Sequence, residues 1–323
     1  MKILITGIHG FVGSNLVEYF KKENDVYGLD IVAPVKDGVV RTYSWEDLDT
    51  GSVPAMDVII HLAGKAHDTK NKSAADVYFK VNTGLTQKIF DYFMASGAKK
   101  FVFFSTAKAA ADRVDGVLTE DVVPSPVGPY GESKIIAEEY ILNKLKEGDC
   151  YVTDVSRNGV ESRKQVYIFR PCMIHGPGNK GNLNLLYSVV KKGVPWPLGA
   201  FENRRTFTSI ENMCFAVNGV LTKEVESGIY NMGDDDALST NELIEEICKS
   251  LGKKAHIWKL PKGLMTGLAK VGGWLHLPLN PDRLQKLTES YISSNEKIKS
   301  ALGVDKMPVD ARAGLQKTLE SFK

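Results

Sequence analysis

The 323-residue sequence predicts an α/β fold, a doubly wound parallel sheet followed by a smaller C-terminal α/β lobe. Short runs rich in β-branched and aromatic residues alternate with helical patterns through the first half, and the first such unit is a strand, a glycine-rich turn and a helix. Strands joined through helices are parallel and cross over right-handedly, which places a ligand at the carboxyl ends of the strands.

The opening unit comes first. Lys2-Ile3-Leu4-Ile5-Thr6 reads as a buried strand, and Gly7, Gly10 and Gly13 lead into a helix whose core-facing positions are Val12, Leu16, Val17 and Phe20. Gly7 allows a sharp turn, Gly10 lets a phosphate approach the backbone, and Gly13 lets the helix pack close to the strand. The unpaired N–H groups and the partial positive charge of the helix start suit the pyrophosphate of a dinucleotide. A second strand, residues 25–30, ends in Asp30, 23 residues after Gly7 and near the offset expected of a ribose-binding acid. Its carboxylate would accept both adenosine ribose hydroxyls and repel a 2′-phosphate, so NAD is favoured over NADP.

Further strands are expected at residues 39–43, 57–64, 100–105 and 165–169. Between them, residues 74–95 carry Val77, Val81, Leu85, Ile89 and Phe93 at helical spacing, and residues 133–145 read as another helix. Beyond Arg170 the pattern loosens into a connection at 175–182, strands at 205–210 and 228–232, and helices at 242–251 and 309–322. The nucleotide-binding domain is therefore expected over 1–172, with return segments near 204–232, and the smaller lobe over 173–323. Residues 153–164 read as a surface loop and 263–279 as lobe core too interrupted to span a membrane, with peripheral membrane contact the lesser alternative.

Composition narrows the partners. Forty-one basic and 39 acidic residues leave a net charge of +2, which offers no global field for nucleic acid or membrane. Small molecules are the expected ligands. Four cysteines, at 150, 172, 214 and 248, lack metal spacing and disulfide density, so free thiols, no metal and a cytoplasmic location are expected. The chain opens directly on its nucleotide-binding strand, so no signal peptide is expected.

Tyr130 and Lys134 stand one helical turn apart and would share a face toward the end of the sheet. A phenol is a poor base at neutral pH, but an adjacent ammonium stabilises its phenolate. Ser105 and Thr106 put hydroxyls at the end of the strand that precedes them, where one could hold a reacting oxygen or cap a turn.

These motifs together resemble the extended short-chain dehydrogenase/reductase family, which acts on nucleotide sugars. The resemblance runs nearly end to end, through Thr6-Gly7-Ile8-His9-Gly10-Phe11-Val12-Gly13, Asp30, His61-Leu62-Ala63-Gly64, Val81-Asn82-Thr83-Gly84, Ser105-Thr106, Tyr130-Gly131-Glu132-Ser133-Lys134, Arg170-Pro171 and His175-Gly176-Pro177-Gly178. It implies a Rossmann domain with a substrate-binding lobe and a catalytic triad of Thr106, Tyr130 and Lys134. It further implies a cofactor site at Gly7, Gly10, Phe11, Val12, Gly13, Asp30, Ile31, Leu62, Ala63, Gly64 and Asn82, together with Tyr130 and Lys134. Asn182, Arg205 and Arg283 match groups that would grip the substrate diphosphate, for which a guanidinium is suited by its planar fork of donors. The implied substrate is a nucleoside-diphosphate sugar, UDP-linked, and pairing through two long helices would give a homodimer.

The family performs C4 epimerisation, 4,6-dehydration and 4-keto reduction. Dehydratases place an Asp-Glu pair after the threonine; Ala107 and Lys108 stand there here, and lysine cannot supply the carboxylate, which sets dehydration aside. Asp30 leans toward a recycled NAD and hence toward a C4 epimerase acting through a 4-keto intermediate. Lys180-Gly181-Asn182 and Asn203-Arg204-Arg205 also resemble 4-ketoreductases of surface-polysaccharide synthesis, which keeps an NAD(P)H-dependent reductase as the alternative. Ala109-Ala110-Ala111 and Met173 depart from the family pattern near the sugar. A cofactor-sensing protein without turnover is the third reading, disfavoured because Tyr130 and Lys134 are both kept.

Overall fold

The structure, a computed structural model, describes residues 1–65, 74–147, 151–154, 160–179, 181–275 and 280–323. Its first half runs β1 (Lys2–Thr6), α1 (Phe11–Phe20), β2 (Asp25–Leu29), β3 (Arg41–Tyr43), α2 (Trp45–Asp49), β4 (Val58–His61), α3 (Ala75–Tyr78), a π-helical turn (Phe79–Gly84), α4 (Leu85–Ala95), β5 (Lys100–Phe104), α5 (Ala107–Ala110), β6 (Val117–Leu118) and α6 (Pro129–Glu147). Then follow β7 (Tyr151–Asp154), β8 (Val160–Arg163), β9 (Gln165–Pro171), β10 (Met173–His175), α7 (Asn182–Lys191), β11 (Phe207–Ser209), α8 (Ile210–Thr222) and β12 (Gly228–Met232). The chain closes with α9 (Thr240–Ser250), α10 (Lys262–Trp274), α11 (Pro281–Thr288), β13 (Ile292–Ser293), α12 (Glu296–Leu302) and α13 (Ala311–Glu320).

Seven strands form the central sheet in the order β12-β9-β5-β4-β1-β2-β3, every neighbouring pair parallel. The chain winds one way from β1 to β3 and the other way from β4 to β12, so the topological switch lies between β1 and β4. Both faces of the sheet are covered, which is why its strands read as continuous apolar runs. Ile3, Ile5, Val102, Phe104, Tyr167 and Phe169 enter one core with α1 and α8. Leu4, Phe101, Phe103, Val166 and Ile168 enter the other with α4 and α6. Alternation along each strand sends neighbours to opposite faces.

The return of residues 228–232 is to the edge of the main sheet, whereas Phe207–Ser209 pairs instead with β10 in a two-stranded ribbon. The lobe is held by its own core, with Leu183, Tyr187, Leu243, Ile247, Leu315 and Leu319 buried together. Three expectations need correction. Residues 153–164 are not a plain loop, because Tyr151–Asp154 pairs antiparallel with Val160–Arg163; 155–159 lie outside the described residues. Lys164 at its end is buried and donates to the carbonyls of Phe93, Ser96 and Ala98, closing the C-terminus of α4. Residues 263–279 are lobe core along one face only: α10 buries Met265 and Ala269 in a small cluster with Leu198 and Leu284, and Gly272 beside them, while its other apolar side chains stay exposed; 276–279 lie outside the described residues.

The third correction concerns 74–95. The stretch is helical, but Val77 is exposed and Tyr78, Asn82, Thr86, Phe90 and Phe93 face inward. One additional residue in the π-helical turn shifts the phase of everything before it, so the simple four-residue spacing from Val77 onward fails. Turns of this kind recur at functional sites, and this one carries Asn82.

Candidate active site

The site grows from the carboxyl ends of β1, β2, β4 and β5. Gly7 takes φ +67°, and its N–H donates to Leu29 O at 2.8 Å, turning the chain across the sheet edge. A Cβ on Gly7 would lie 3.0 Å from the backbone of Ala63, and one on Gly13 would lie 2.6 Å from Gly7 O and 2.8 Å from Ile8 Cα. Gly10 is the N-cap and has no side chain with which to cap, so the first-turn N–H groups of Phe11, Val12 and Gly13 have no intrahelical partner. That cradle, which a Cβ at Gly13 would disrupt, fits a pyrophosphate. Phe11 also packs its ring toward Gly176 and Gly178, and Asn15 donates to Pro177 O at 3.4 Å, tying the loop after β10 to the helix start.

Asp30 follows β2 and turns toward the same loop. Its Oδ2 accepts from His9 N at 3.1 Å and its Oδ1 from Ile31 N at 2.8 Å, while the Ile31 side chain stands in solvent. The Nε2 of His9 is buried with no hydrogen-bond partner among the described residues, an orphaned donor or acceptor inside the glycine loop.

A buried chain of hydrogen bonds links β1, β4 and α4, and its directions are fixed by proton count. Thr86 donates its only hydroxyl proton to Asn82 O at 2.6 Å, so its oxygen must accept from His61 Nε2 at 2.9 Å. His61 Nδ1 therefore accepts from Thr6 at 2.7 Å, and Thr6 Oγ1 in turn accepts from Leu62 N and Ala63 N at 3.1 and 2.9 Å. Burial, with Lys134 nearby, pushes the His61 pKa well below its usual value and keeps the ring neutral, as the chain requires.

Asn82 joins this chain to α6. Its Oδ1 accepts from Lys65 N at 2.7 Å, and its Nδ2 donates to Lys65 O at 3.2 Å and Ser133 Oγ at 3.0 Å. Gly64 leaves room beside it: a Cβ there would stand 2.9 Å from Asn82 Oδ1 and 3.2 Å from Lys134 Nζ.

Helix α6 begins at Pro129, so Tyr130 lies in its first turn and Lys134 on the second. Thr106 is buried after β5, caps α5 by accepting from Lys108 N at 3.3 Å, and hydrogen-bonds to the Tyr130 hydroxyl. Its capping and positioning roles are thus compatible. Lys134 is buried, donates to Phe104 O at 2.8 Å and lies 4.8 Å over the Phe103 ring. Burial pulls its pKa down to about 8, against the pull of Glu138 in the other direction.

The tyrosine corrects one expectation. Burial pushes the Tyr130 phenol up from its usual pKa, with Tyr78 adding to the rise and only the Thr106 hydrogen bond opposing it. The side chains of the chain itself keep the phenol protonated, because Lys134 is turned to Phe104 O.

Beneath this pair lies an ion pair that sequence reasoning missed. Arg170 donates through Nε to both Glu138 oxygens at 3.1 Å and through Nη2 to Oε2 at 2.6 Å, with both residues fully buried. Ser105 also donates to Glu138, and Arg170 Nη1 has no hydrogen-bond partner among the described residues. Glu138 is one turn beyond Lys134 and Ser105 precedes Thr106, so the network fixes α6 against β5 and β9 just where the two candidate catalytic elements meet. An arginine inside an apolar strand was the available signal.

The candidate phosphate groups sit on and around α7 and α11. Asn182 is exposed as the first residue of α7. Arg205 donates through Nε to Glu289 O at 3.1 Å and through Nη2 to Lys286 O, with Glu289 Oε1 at 3.8 Å. Arg283 lies exposed on α11, the helix that Arg205 grips, so the structure brings these two arginines to one element. Met173 is exposed, and Ala109 and Ala110 are buried. Among the described residues no group of His, Cys, Asp and Glu could hold a metal, and no helix is long and apolar enough to cross a membrane.

Known proteins share both sequence and fold with this chain. A UDP-glucose 4-epimerase of Vibrio cholerae is 29% identical over 282 residues, covering 80% of this chain and 78% of the relative. The N-acetyl-alpha-D-glucosaminyl-diphospho-ditrans,octacis-undecaprenol 4-epimerase of Escherichia coli O157:H7 is 26% identical over 305 residues, covering 92% and 84%. Among solved structures, MoeE5 in complex with UDP-glucose and NAD superposes with a TM-score of 0.75 at 21% identity over 99% of this chain and 98% of that one. The UDP-glucuronic acid 4-epimerase of Bacillus cereus in complex with NAD gives 0.74 at 20% identity, covering 100% and 96%. The model of the NAD dependent epimerase/dehydratase family matches residues 3–233, the whole span from the glycine loop to the last strand of the central sheet, and the chain belongs to that family.

Proposed function

We propose that the protein is an NAD-dependent C4 epimerase of a nucleotide sugar, a UDP-hexose or UDP-N-acetylhexosamine. The observation that carries the reading is the hydrogen-bonded Thr106–Tyr130 pair at the end of β5, with Lys134 one turn on and the glycine cradle beside it. Asp30 supports NAD over NADP, because its carboxylate stands at the end of β2 where a 2′-phosphate would meet it. The relatives named above include epimerases of a UDP-sugar and of a diphosphate-linked N-acetylglucosamine.

NAD, held by the glycine loop and Asp30, would supply the hydride acceptor and donor for the sugar C4. Tyr130 takes and returns the proton of the sugar 4-hydroxyl, and Thr106 holds the tyrosine oxygen and the reacting oxygen in line. Lys134, with a pKa of about 8, can leave Phe104 O for a ribose hydroxyl and lend its charge to the phenolate. Arg205, Arg283 and Asn182 would receive the diphosphate, Arg205 by releasing the α11 carbonyls it now grips. Ala107 and Lys108 follow Thr106, so the acid and base of a dehydratase are not supplied there.

The test incubates the protein with UDP-galactose, UDP-N-acetylgalactosamine and a UDP-4-keto-6-deoxy sugar, with and without NADPH. Interconversion without added cofactor supports the epimerase. Stoichiometric NADPH loss on the keto sugar would make it the reductase instead, a reaction also found among its relatives. Cofactor binding with no product would make it a sensor.

A further inference from the structure

Helix α10 leaves a row of apolar side chains uncovered. Met265, Ala269 and Gly272 face the lobe, while Leu264, Leu268, Val271 and Leu275 repeat at i, i+4, i+7 and i+11 in a second row about 100° around the helix. Each of the four is about half exposed, between 49 and 52%. Trp274, the last residue of the helix, is 81% exposed, and Trp258, just before it, is 54% exposed. These are the two exposed tryptophans among the described residues.

The same stretch carries a concentrated net positive charge. Residues 253–286 contain six lysines and Arg283 against Asp282 alone, a net +6 that leaves the remainder of the chain at −4. Lys254, Lys259, Lys270 and Lys286 are exposed and make no ion pair with any described residue. A second copy of this chain would bring the same charge to the face and be repelled, and a nucleic acid would answer the charge but not the leucine row. An anionic bilayer answers both, its headgroups meeting the lysines and its acyl boundary meeting the leucines and tryptophans.

We propose that α10 and its flanking lysines form an in-plane docking surface for an anionic lipid bilayer. Helix α11 packs on α10, with Pro281 Cδ 3.1 Å from a Cβ built on Gly273, and holds Arg283 and the guanidinium of Arg205. On the reading of the preceding subsection, docking brings the diphosphate end of the substrate site toward the membrane surface. Vesicle binding needs no substrate, so it stands or falls separately from turnover.

The full-length protein is floated with vesicles of phosphatidylethanolamine and phosphatidylglycerol, and with neutral phosphatidylcholine vesicles. Binding to the anionic vesicles, weakened by salt, is expected, with little binding to the neutral ones. Leu268→Gln combined with Trp274→Gln should weaken it at least tenfold, and Lys259→Gln and Lys270→Gln about fivefold each. Trp274, Lys259 and Lys270 are solvent-facing and Leu268 is half exposed, so urea midpoints should fall only slightly and turnover of a soluble substrate should stay unchanged. No binding to anionic vesicles, equal binding to neutral ones, or binding indifferent to these substitutions would overturn the proposal. So would a dimer in sedimentation that the Leu268→Gln, Trp274→Gln variant converts to monomer, since a second copy would then be what covers the row.

Discussion

Lys134→Met should make the protein more stable at neutral pH while removing its turnover. The native lysine is buried and titrates at about 8 rather than 10.5, so between those values the unfolded chain holds the proton that the folded chain has lost. Wild-type stability therefore rises as pH climbs through this window, and the full penalty applies below it. The fall in pKa corresponds to about 3 kcal/mol at pH 7 and under about 1 kcal/mol at pH 10. Methionine escapes that penalty but leaves Phe104 O, now bonded at 2.8 Å, without its donor, which costs about 1–2 kcal/mol at any pH. The variant should thus exceed wild type by about 1–2 kcal/mol at pH 7, and the difference should move by about 2–3 kcal/mol in favour of wild type by pH 10. Urea unfolding of both proteins at the two pH values measures it, and other titrations cancel in the comparison. A stability difference that does not change with pH would refute the assignment of Lys134 as a strained buried ammonium.

Gly13→Ala drives a Cβ to 2.6 Å from Gly7 O and 2.8 Å from Ile8 Cα, both backbone atoms, so about 1–3 kcal/mol of stability and NAD affinity should fall together in unfolding and calorimetric titrations. Arg170→Met strands the buried Glu138 carboxylate and should cost about 3–5 kcal/mol, whereas combining it with Glu138→Leu should recover most of that loss; additive costs in the double variant would contradict the pairing. Thr106→Ala removes the one hydrogen bond that lowers the Tyr130 pKa, so the pH at which kcat/KM reaches half its plateau should rise. Tyr130→Phe should cut turnover by about 10²–10⁴-fold with cofactor affinity nearly intact; near-normal rates would remove it from the mechanism.

Backbone constraints wrote themselves plainly into the sequence. Gly7 needs a positive φ and Gly13 has no room for a methyl group, so only glycine fits, and the strands of a doubly covered sheet must be apolar throughout. Tyr130 and Lys134 were legible because a helix start puts them one turn apart. What was hidden depends on contacts between distant segments. Arg170 and Glu138 are 32 residues apart, and nothing local to either announces the other. The raised Tyr130 pKa likewise reflects the desolvation of its hydroxyl and the nearness of Tyr78, neither of which spacing reveals. Lys164 looked like loop polarity because its role is to collect carbonyls 66 to 71 residues upstream. The α10 row resembled core because apolar periodicity is the same whether a neighbor covers it or not.

The π-helical turn at Phe79–Gly84 makes the length of its helix a constraint in its own right. Upstream of it the chain must deliver Tyr78 to the Tyr130 ring, 6.3 Å between centroids, and downstream it must seat Phe90 and Phe93 between the sheet and α6. Deleting one residue in the turn would restore ordinary α-helical hydrogen bonding and swing one side relative to the other by about 100°. Either the amide of Asn82 would leave Lys65 and Ser133, or two phenylalanines would rotate out of the sheet packing. Insertions and deletions should be tolerated in the surface connections of this chain long before they are tolerated at this one wide turn.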